Sequence, residues 1–441
     1  MLISEIRKQY VDLLKKEVKP ALGCTEPIAV ALAVAKATEV LRATGEKPAK
    51  ITVEVSANIL KNAMGVGIPG TGMNGLYIAS ALGACCGKSE YGLEVLRDVS
   101  SASVAEAKTW VDANRVEIKL SPLDIKLFIQ ASCWSTHHTA SVTIIGEHDR
   151  ITEVMLDGDV IFAAEDKSGG CGKEKPEEKG LEMTVSSIFE FASTAPLEEI
   201  AFIKNAADLN MAIAQEGLNK KYGLQIGKTI RNSHHDSIFG SGILSYAMSI
   251  TAAAADARMG GCTLPAMSNS GSGNQGITVT LPVVATAAKL GSTEEQLIRA
   301  LTLSHLVAIH IKGYLGRLSA LCGCVVASSG AACGISYLMG GGYTEVTYAI
   351  KNMIGNITGM VCDGAKAGCA LKVSSGTSSA VQSAILAVDE ICISENDGII
   401  EEDIERTIRN LGTIGSTGMQ NTDNIMLNIM INKRSHIPGC N

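Results

Sequence analysis

Apolar and polar positions follow one rhythm in the first third of this chain and another in the rest. Residues 3–19 set apolar side chains at helical spacing among charged ones and stop at Pro20. A second helix is predicted over 28–44, with Pro27 suited to its first turn, where a missing N–H costs nothing. The period then drops to two. Residues 51–56, 115–120 and 126–131 alternate as half-buried strands do. Residues 140–145 and 151–156 flank Gly146-Glu-His-Asp-Arg150 and read as a hairpin. Residues 166–180 are charged and glycine-rich without an apolar face, so they read as an exposed linker in which Cys171 has no ligand role. Beyond them strand patterns become scarce. The runs 196–222, 240–259, 282–288, 293–311 and 345–353 fit helices of a Gly/Ala-rich bundle. The expected fold class is α+β. A domain over 1–180 carries a small antiparallel sheet and helices, and a mostly α-helical domain covers 181–441.

Composition narrows this picture. The chain is 46% hydrophobic but only 4% aromatic, with 45 glycines, which suits close helix packing through small residues. A formal charge of −7 argues against a nucleic-acid partner, which would call for a basic stripe. The uncharged stretch 237–255 has membrane-like length but carries Gly and Ser through its middle, so a buried helix is expected and no membrane span. The N-terminus reads as an amphipathic charged helix and not as a signal peptide. Thirteen cysteines, an odd number, then point to reduced thiols in the cytoplasm. Cys85, Cys86, Cys133, Cys262, Cys333 and Cys392 lie in apolar or small-residue runs and read as buried hydrophobes.

Three other cysteines, Cys324, Cys362 and Cys369, carry candidate chemistry. The last two sit in the flexible segment Gly359-Met-Val-Cys-Asp-Gly-Ala-Lys-Ala-Gly-Cys369. Three soft thiolates without a nearby fourth suggest an iron–sulfur cluster with one iron left open as a Lewis acid. Cys24, in Gly23-Cys-Thr-Glu-Pro27, precedes a helix whose N-terminus favours a thiolate, suiting it to act as general base or nucleophile. In the other reading Thr25 or Glu26 caps the helix and Cys24 packs beneath. Gly65-Val-Gly-Ile-Pro-Gly-Thr-Gly-Met-Asn-Gly75 is neither a Walker A loop nor a dinucleotide fingerprint; it suits a small carboxylate, or else packing. Met267-Ser-Asn-Ser-Gly-Ser-Gly-Asn-Gln-Gly276 is uncharged and rich in donors, a composition that can bind a zwitterion through neutral groups. Residues 372–379 and 413–420 share that loop-like character. The pairs His137–His138 and His234–His235 diverge too far to chelate, and His305 and His310 do not share a helix face well.

Gly23-Cys-Thr-Glu-Pro27, the loops 67–75 and 268–276, Gly323-Cys324, Cys362–Cys369 and residues 413–423 together resemble the L-cysteine desulfidase family. That group is related to the α chain of iron–sulfur L-serine dehydratase, and the resemblance covers nearly the whole chain. It implies a [4Fe–4S] cluster on Cys362, Cys369 and one of Cys322 and Cys324, with Cys324 preferred by analogy. It also implies a carbon–sulfur lyase without pyridoxal phosphate, its active site lying between the two domains. Cys24 thiolate would take the α-proton of L-cysteine, the open iron would bind the β-substituent, and hydrogen sulfide, ammonia and pyruvate would result. Thr25, Thr71, Asn74, Ser270 and Asn274 are the candidates for holding the amino acid. Cys440 is the candidate resting-state ligand to the open iron. The alternatives are an iron–sulfur L-serine or L-threonine dehydratase and a non-catalytic sensor of cysteine or iron–sulfur status. The expected partners are a small amino-acid substrate and, at most, further copies of this chain in a homo-oligomer.

Overall fold

The computed structural model describes residues 3–123, 125–164, 183–316 and 319–434. They form two compact units. One is the segment Cys24–Glu182; the other combines Met1–Gly23 with Met183–Asn441.

The first unit is α+β. Its six strands are β1 (Lys50–Val55), β2 (Val116–Leu120), β3 (Phe128–Trp134), β4 (Thr139–Ile145), β5 (Ile151–Leu156) and β6 (Asp159–Ala163). They lie in the order β2-β1-β3-β4-β5-β6. Only β1 and β2 run parallel, paired from Ile51↔Val116 to Val55↔Leu120; the other neighbours are antiparallel. The alternation seen in the sequence fixes one apolar face. Ile51, Val53 and Val55 of β1 share burial with Ile129, Ala131 and Cys133 of β3 and with Ala140, Val142 and Ile144 of β4. Helix α1 (Thr25–Ala43) packs on β3 and β4 and against α3 (Leu76–Cys86). The short helix α2 (Ala57–Ala63) and helix α4 (Ser101–Asp112), closed by a Ser100–Ser103 capping box, complete the unit.

The second unit is helical. Its core helices are α5 (Ile243–Met259), α6 (Gly273–Leu290), α7 (Glu294–Leu315), α8 (Gly323–Leu338), α9 (Tyr343–Ile357) and α10 (Cys369–Val388). Helix α8 is central and touches α6, α7, α9 and α10. Small residues bring these backbones together: a Cβ on Gly330 would stand 2.3 Å from the carbonyl oxygen of Ser304. The N-terminal helix Ile3–Glu17 belongs to this unit, where Tyr10 stacks on Phe191 with ring centroids 4.8 Å apart. Pro20–Ala21 pairs antiparallel with Ala266–Met267.

Several details differ from the expectations. Residues 413–418 end one helix and continue as a π-helix rather than a loop, and Cys85, Cys86 and Cys392 are only partly buried. Residues 372–379 are not a loop but the first half of α10, where Ser374, Gly376 and Thr377 are buried small residues at a helix interface. The run 196–222 is divided: a short helix Leu197–Ile200, capped by Pro196, and a 3-10 turn Ala201–Ile203 precede Lys204–Asn219. Strand β6 was not foreseen, because all five of its residues are exposed and show no alternation. The stretch 237–255 falls mostly within the buried helix α5, and among the described residues no helix is long and apolar enough to cross a membrane.

Candidate active site and cysteine cluster

Two stretches of the helical unit are laid side by side by a single antiparallel bridge, Leu321↔Val361. Cys322 N–H donates to Met360 O at 2.9 Å and Cys362 N–H donates to Ala320 O at 2.7 Å. This ribbon sets Cys322 beside Cys362, and their side chains hydrogen-bond to one another. That bond, with burial, pushes the Cys322 thiol well above its ordinary pKa. Cys322 is also the N-cap of α8, and Cys369 opens α10, so two thiols stand where helix dipoles favour negative charge. Burial raises the pKa of Cys369, and the nearness of Cys362 adds to it. Lys372 Nζ donates to Val361 O at 2.9 Å and pairs with Asp363, which Lys366 also contacts at 3.1 Å. Burial opposes ionisation of Asp363, but the two lysines outweigh it and hold its carboxyl below the usual range.

Cys324 is placed differently. Its Sγ donates to Lys372 O at 3.1 Å, and it packs in a small core with Ala255, Ala370 and Val373. A Cβ on Gly376 would lie 2.5 Å from that sulfur. Burial pushes its thiol up to about 11. Cys322 packs against the same small core, and Cys369 lies near enough to raise the Cys324 thiol further, so all four thiols share one end of this unit.

Among the described residues no three His, Cys, Asp or Glu side chains are close enough together to hold a single metal ion. The donor set nevertheless fits an iron–sulfur cluster in kind. It offers soft thiols, two of them in mutual contact and a third beside them, on a glycine-containing segment with two lysines to balance thiolate charge.

The loop 268–276 of the same unit is a fastened polar network. Ser268 N–H and Oγ both donate to Lys19 O, at 2.8 and 2.6 Å, and Ser270 N–H donates to Glu17 O at 3.0 Å. Ser270 holds φ at 49°, a strained value for a non-glycine residue. Asn269 is the hub. Its Oδ1 accepts from Ser270 Oγ at 2.9 Å and Gln275 Nε2 at 2.8 Å, while its Nδ2 faces His305 Nδ1 at 3.1 Å. His305 Nε2 then donates to Thr280 Oγ1 at 3.0 Å, whose own proton goes to Gly276 O at 2.6 Å. His305 is fully buried, and burial alone pushes its pKa down to about 3, so it is a neutral core histidine. Asn274 Oδ1 accepts from Arg258 at 3.1 Å. Gln275 reaches the cysteine turn, its Oε1 lying 3.1 Å from where a Cβ on Gly323 would be.

In the α+β unit Cys24 is the N-cap of α1 and buried. Its Sγ donates to Glu26 Oε2 at 2.9 Å, to which Thr25 Oγ1 also donates at 3.2 Å, and Asn62 Nδ2 donates to Glu26 Oε1 at 2.9 Å. The loop 67–75 folds on itself through a Gly67↔Asn74 bridge. Thr71 Oγ1 donates to Ile68 O at 2.8 Å and accepts from Met73 N–H at 3.0 Å, so it ties this turn, while Asn74 is exposed. The other histidines bind protein partners: His137 meets Glu46, His138 meets Asp157, and buried His310 meets Glu405 at 2.7 Å. His234 and His235 lie in an exposed turn. Cys171 and Cys440 lie outside the described residues.

Sequence reasoning did not single out Glu26 as a partner for Cys24, nor Arg258, nor Asn269 as a hub. Glu26 had a local signal, a carboxylate two residues after a thiol at a helix start. Arg258 had a weaker one, a lone cation ending a 26-residue run without lysine or arginine.

The family model for the serine dehydratase alpha chain matches residues 90–428, and the chain belongs to that family. Relatives of similar length carry the name UPF0597 protein. One from Bacteroides thetaiotaomicron is 51% identical over 440 residues, covering all of both chains. One from Bacteroides fragilis is 52% identical over 428 residues, 97% of this chain and 98% of its own. Another, from Oleidesulfovibrio alaskensis, is 49% identical over 428 residues, again 97% of this chain and 98% of its own.

Proposed function

We propose that the protein is a cytoplasmic L-cysteine desulfidase, an iron–sulfur lyase that eliminates hydrogen sulfide from L-cysteine and leaves pyruvate and ammonia. The observation that carries the reading is the gathering of Cys322, Cys362 and Cys369 at one bridge and two helix N-termini. These three would hold a [4Fe–4S] cluster, and the packing of Cys324 against Gly376 and Ala370 favours Cys322 over it as the third ligand. When bound, such a cluster supplies a Lewis-acidic iron that makes the β-substituent a better leaving group.

The remaining work falls to the chain. Cys24 is the base. Its proton already points at Glu26 Oε2, 2.9 Å away, so the carboxylate is the immediate acceptor that frees the thiolate. Asn62 and Thr25 fix that carboxylate by their own hydrogen bonds. Cys24 Sγ then takes the α-proton as the β-sulfur leaves with its electron pair, and the resulting enamine hydrolyses through its imine. Loop 268–276, held by Asn269 and Lys19 O, offers Ser270 and Asn274 to the zwitterion. Thr71 and Asn74 remain weaker candidates, Thr71 being spent in its own turn.

The test is anaerobic reconstitution followed by assay of sulfide and pyruvate with L-cysteine and with L-serine. A protein that takes up iron and turns over L-cysteine faster carries the reading. Faster turnover of L-serine would replace it with a dehydratase, the activity the family name favours. Ligand binding without turnover would make the chain a sensor. Cys24→Ser should abolish elimination and retain iron; Cys362→Ser should lose both.

A further inference from the structure

Arg258 is a buried cation in want of a counter-charge. It sits in the last turn of α5 with 3% of its surface exposed. Among the described residues its hydrogen bond is from Nη1 to Asn274 Oδ1 at 3.1 Å, a neutral acceptor. Its Nε is buried without a partner, and among the described residues no carboxylate pairs with it. Removing a guanidinium from water without a compensating anion is costly, and Arg is the side chain best shaped to receive a carboxylate in two parallel hydrogen bonds.

Its surroundings repeat the same preference. The guanidinium lies against Gly273, the first residue of the eighteen-residue helix α6. A Cβ there would come within 2.3 Å of Nε and 2.6 Å of Cζ, so the glycine makes the room that the guanidinium occupies. The free amides and dipole of that helix start favour an anion beside the arginine. Residues next to both features touch the cysteine turn. Ala255, one turn before Arg258, packs on Cys324, and Gln275, in the first turn of α6, abuts Gly323.

We propose that Arg258, positioned by Gly273 and Asn274, anchors the α-carboxylate of the amino-acid substrate. This rests on the lyase reading above and names the group that holds the acid end of its substrate. The anchor sets specificity for α-amino acids over their amides or amines, and it leaves proton abstraction to Cys24.

The test uses the reconstituted holoenzyme and two probes without a leaving group, L-alanine and its uncharged carboxamide, followed by isothermal titration. The wild type should prefer L-alanine. Arg258→Gln should weaken L-alanine by about 10- to 100-fold, the loss expected for a charge-assisted pair, and barely change the carboxamide. Arg258→Lys should fall between. Gly273→Ala keeps every polar atom yet displaces the guanidinium, so it should reproduce the selective loss. In turnover the defect should fall on KM for L-cysteine more than on kcat. Equal loss for both probes, an unchanged preference in folded Arg258→Gln, or no preference in the wild type would each overturn the proposal. Wild-type turnover of L-cysteine together with any of these would leave the lyase reading intact, whereas absent turnover with intact L-alanine preference would sink that reading and retain the anchor.

Discussion

Protonating His305 should loosen the very loop assigned to the substrate. The ring is fully buried, its Nδ1 faces an amide donor from Asn269, and its Nε2–H is given to Thr280. A second proton has no acceptor unless Asn269 turns over, which would break its bonds to Ser270 and Gln275. Burial pushes the pKa from 6.5 down to about 3. The unfolded chain therefore binds this proton first as pH falls, and the folded state loses stability by about 1.4 kcal/mol per pH unit between about 6.5 and 3. Above 6.5 both states are neutral and the contribution is constant. Asp256 works the other way, since burial lifts its carboxyl to about 6 and the folded state gains from its protonation as pH falls below that. Comparing the wild type with His305→Gln cancels the Asp256 effect. Urea unfolding at pH 7.5 and 5.5 should show the wild type losing about 1.4 kcal/mol relative to the variant. A gap that stays constant across that interval would refute the neutral buried imidazole.

Other outcomes follow from single contacts. Cys322→Ser should lower iron content after reconstitution more than Cys324→Ser does, measured as iron per chain; the reverse order would return Cys324 to the ligand set. Glu26→Gln should lower kcat while leaving iron content unchanged, because the thiol loses its proton acceptor. Gly217→Ala places a Cβ 2.0 Å from Ala253 O, between two backbones that cannot yield. It should cost about 3 kcal/mol, read as a lower urea midpoint.

Much of this molecule is legible in its sequence, for reasons that can be named. Strands β1, β3, β4 and β5 show because one face is buried and the other wet, so Ile51, Val53 and Val55 alternate with polar neighbours. Buried helices such as α8 are apolar all round and could be read only by length and by small residues. Residues 372–379 looked like a loop because serine and threonine serve two ends, turns and tight helix interfaces, and Cys324 against Gly376 decides for the second. Cys24 was legible from Pro27 and the helix that follows. That Cys322 stands beside Cys362 was not legible, because it depends on the pairing of residue 321 with residue 361, forty positions away. Arg258 stayed hidden because its isolation is a fact about its neighbours in space.

The pairing of Pro20–Ala21 with Ala266–Met267 has a consequence for synthesis. The first 23 residues belong to a unit whose remainder begins at Met183, so the ribosome completes the whole intervening α+β unit before their partner strand exists. At roughly 5–20 residues per second, the nascent N-terminus waits on the order of 12–50 s for Ala266 to emerge. During that interval the helix Ile3–Glu17 first meets its own unit where Tyr10 stacks on Phe191, once the α+β unit has been made.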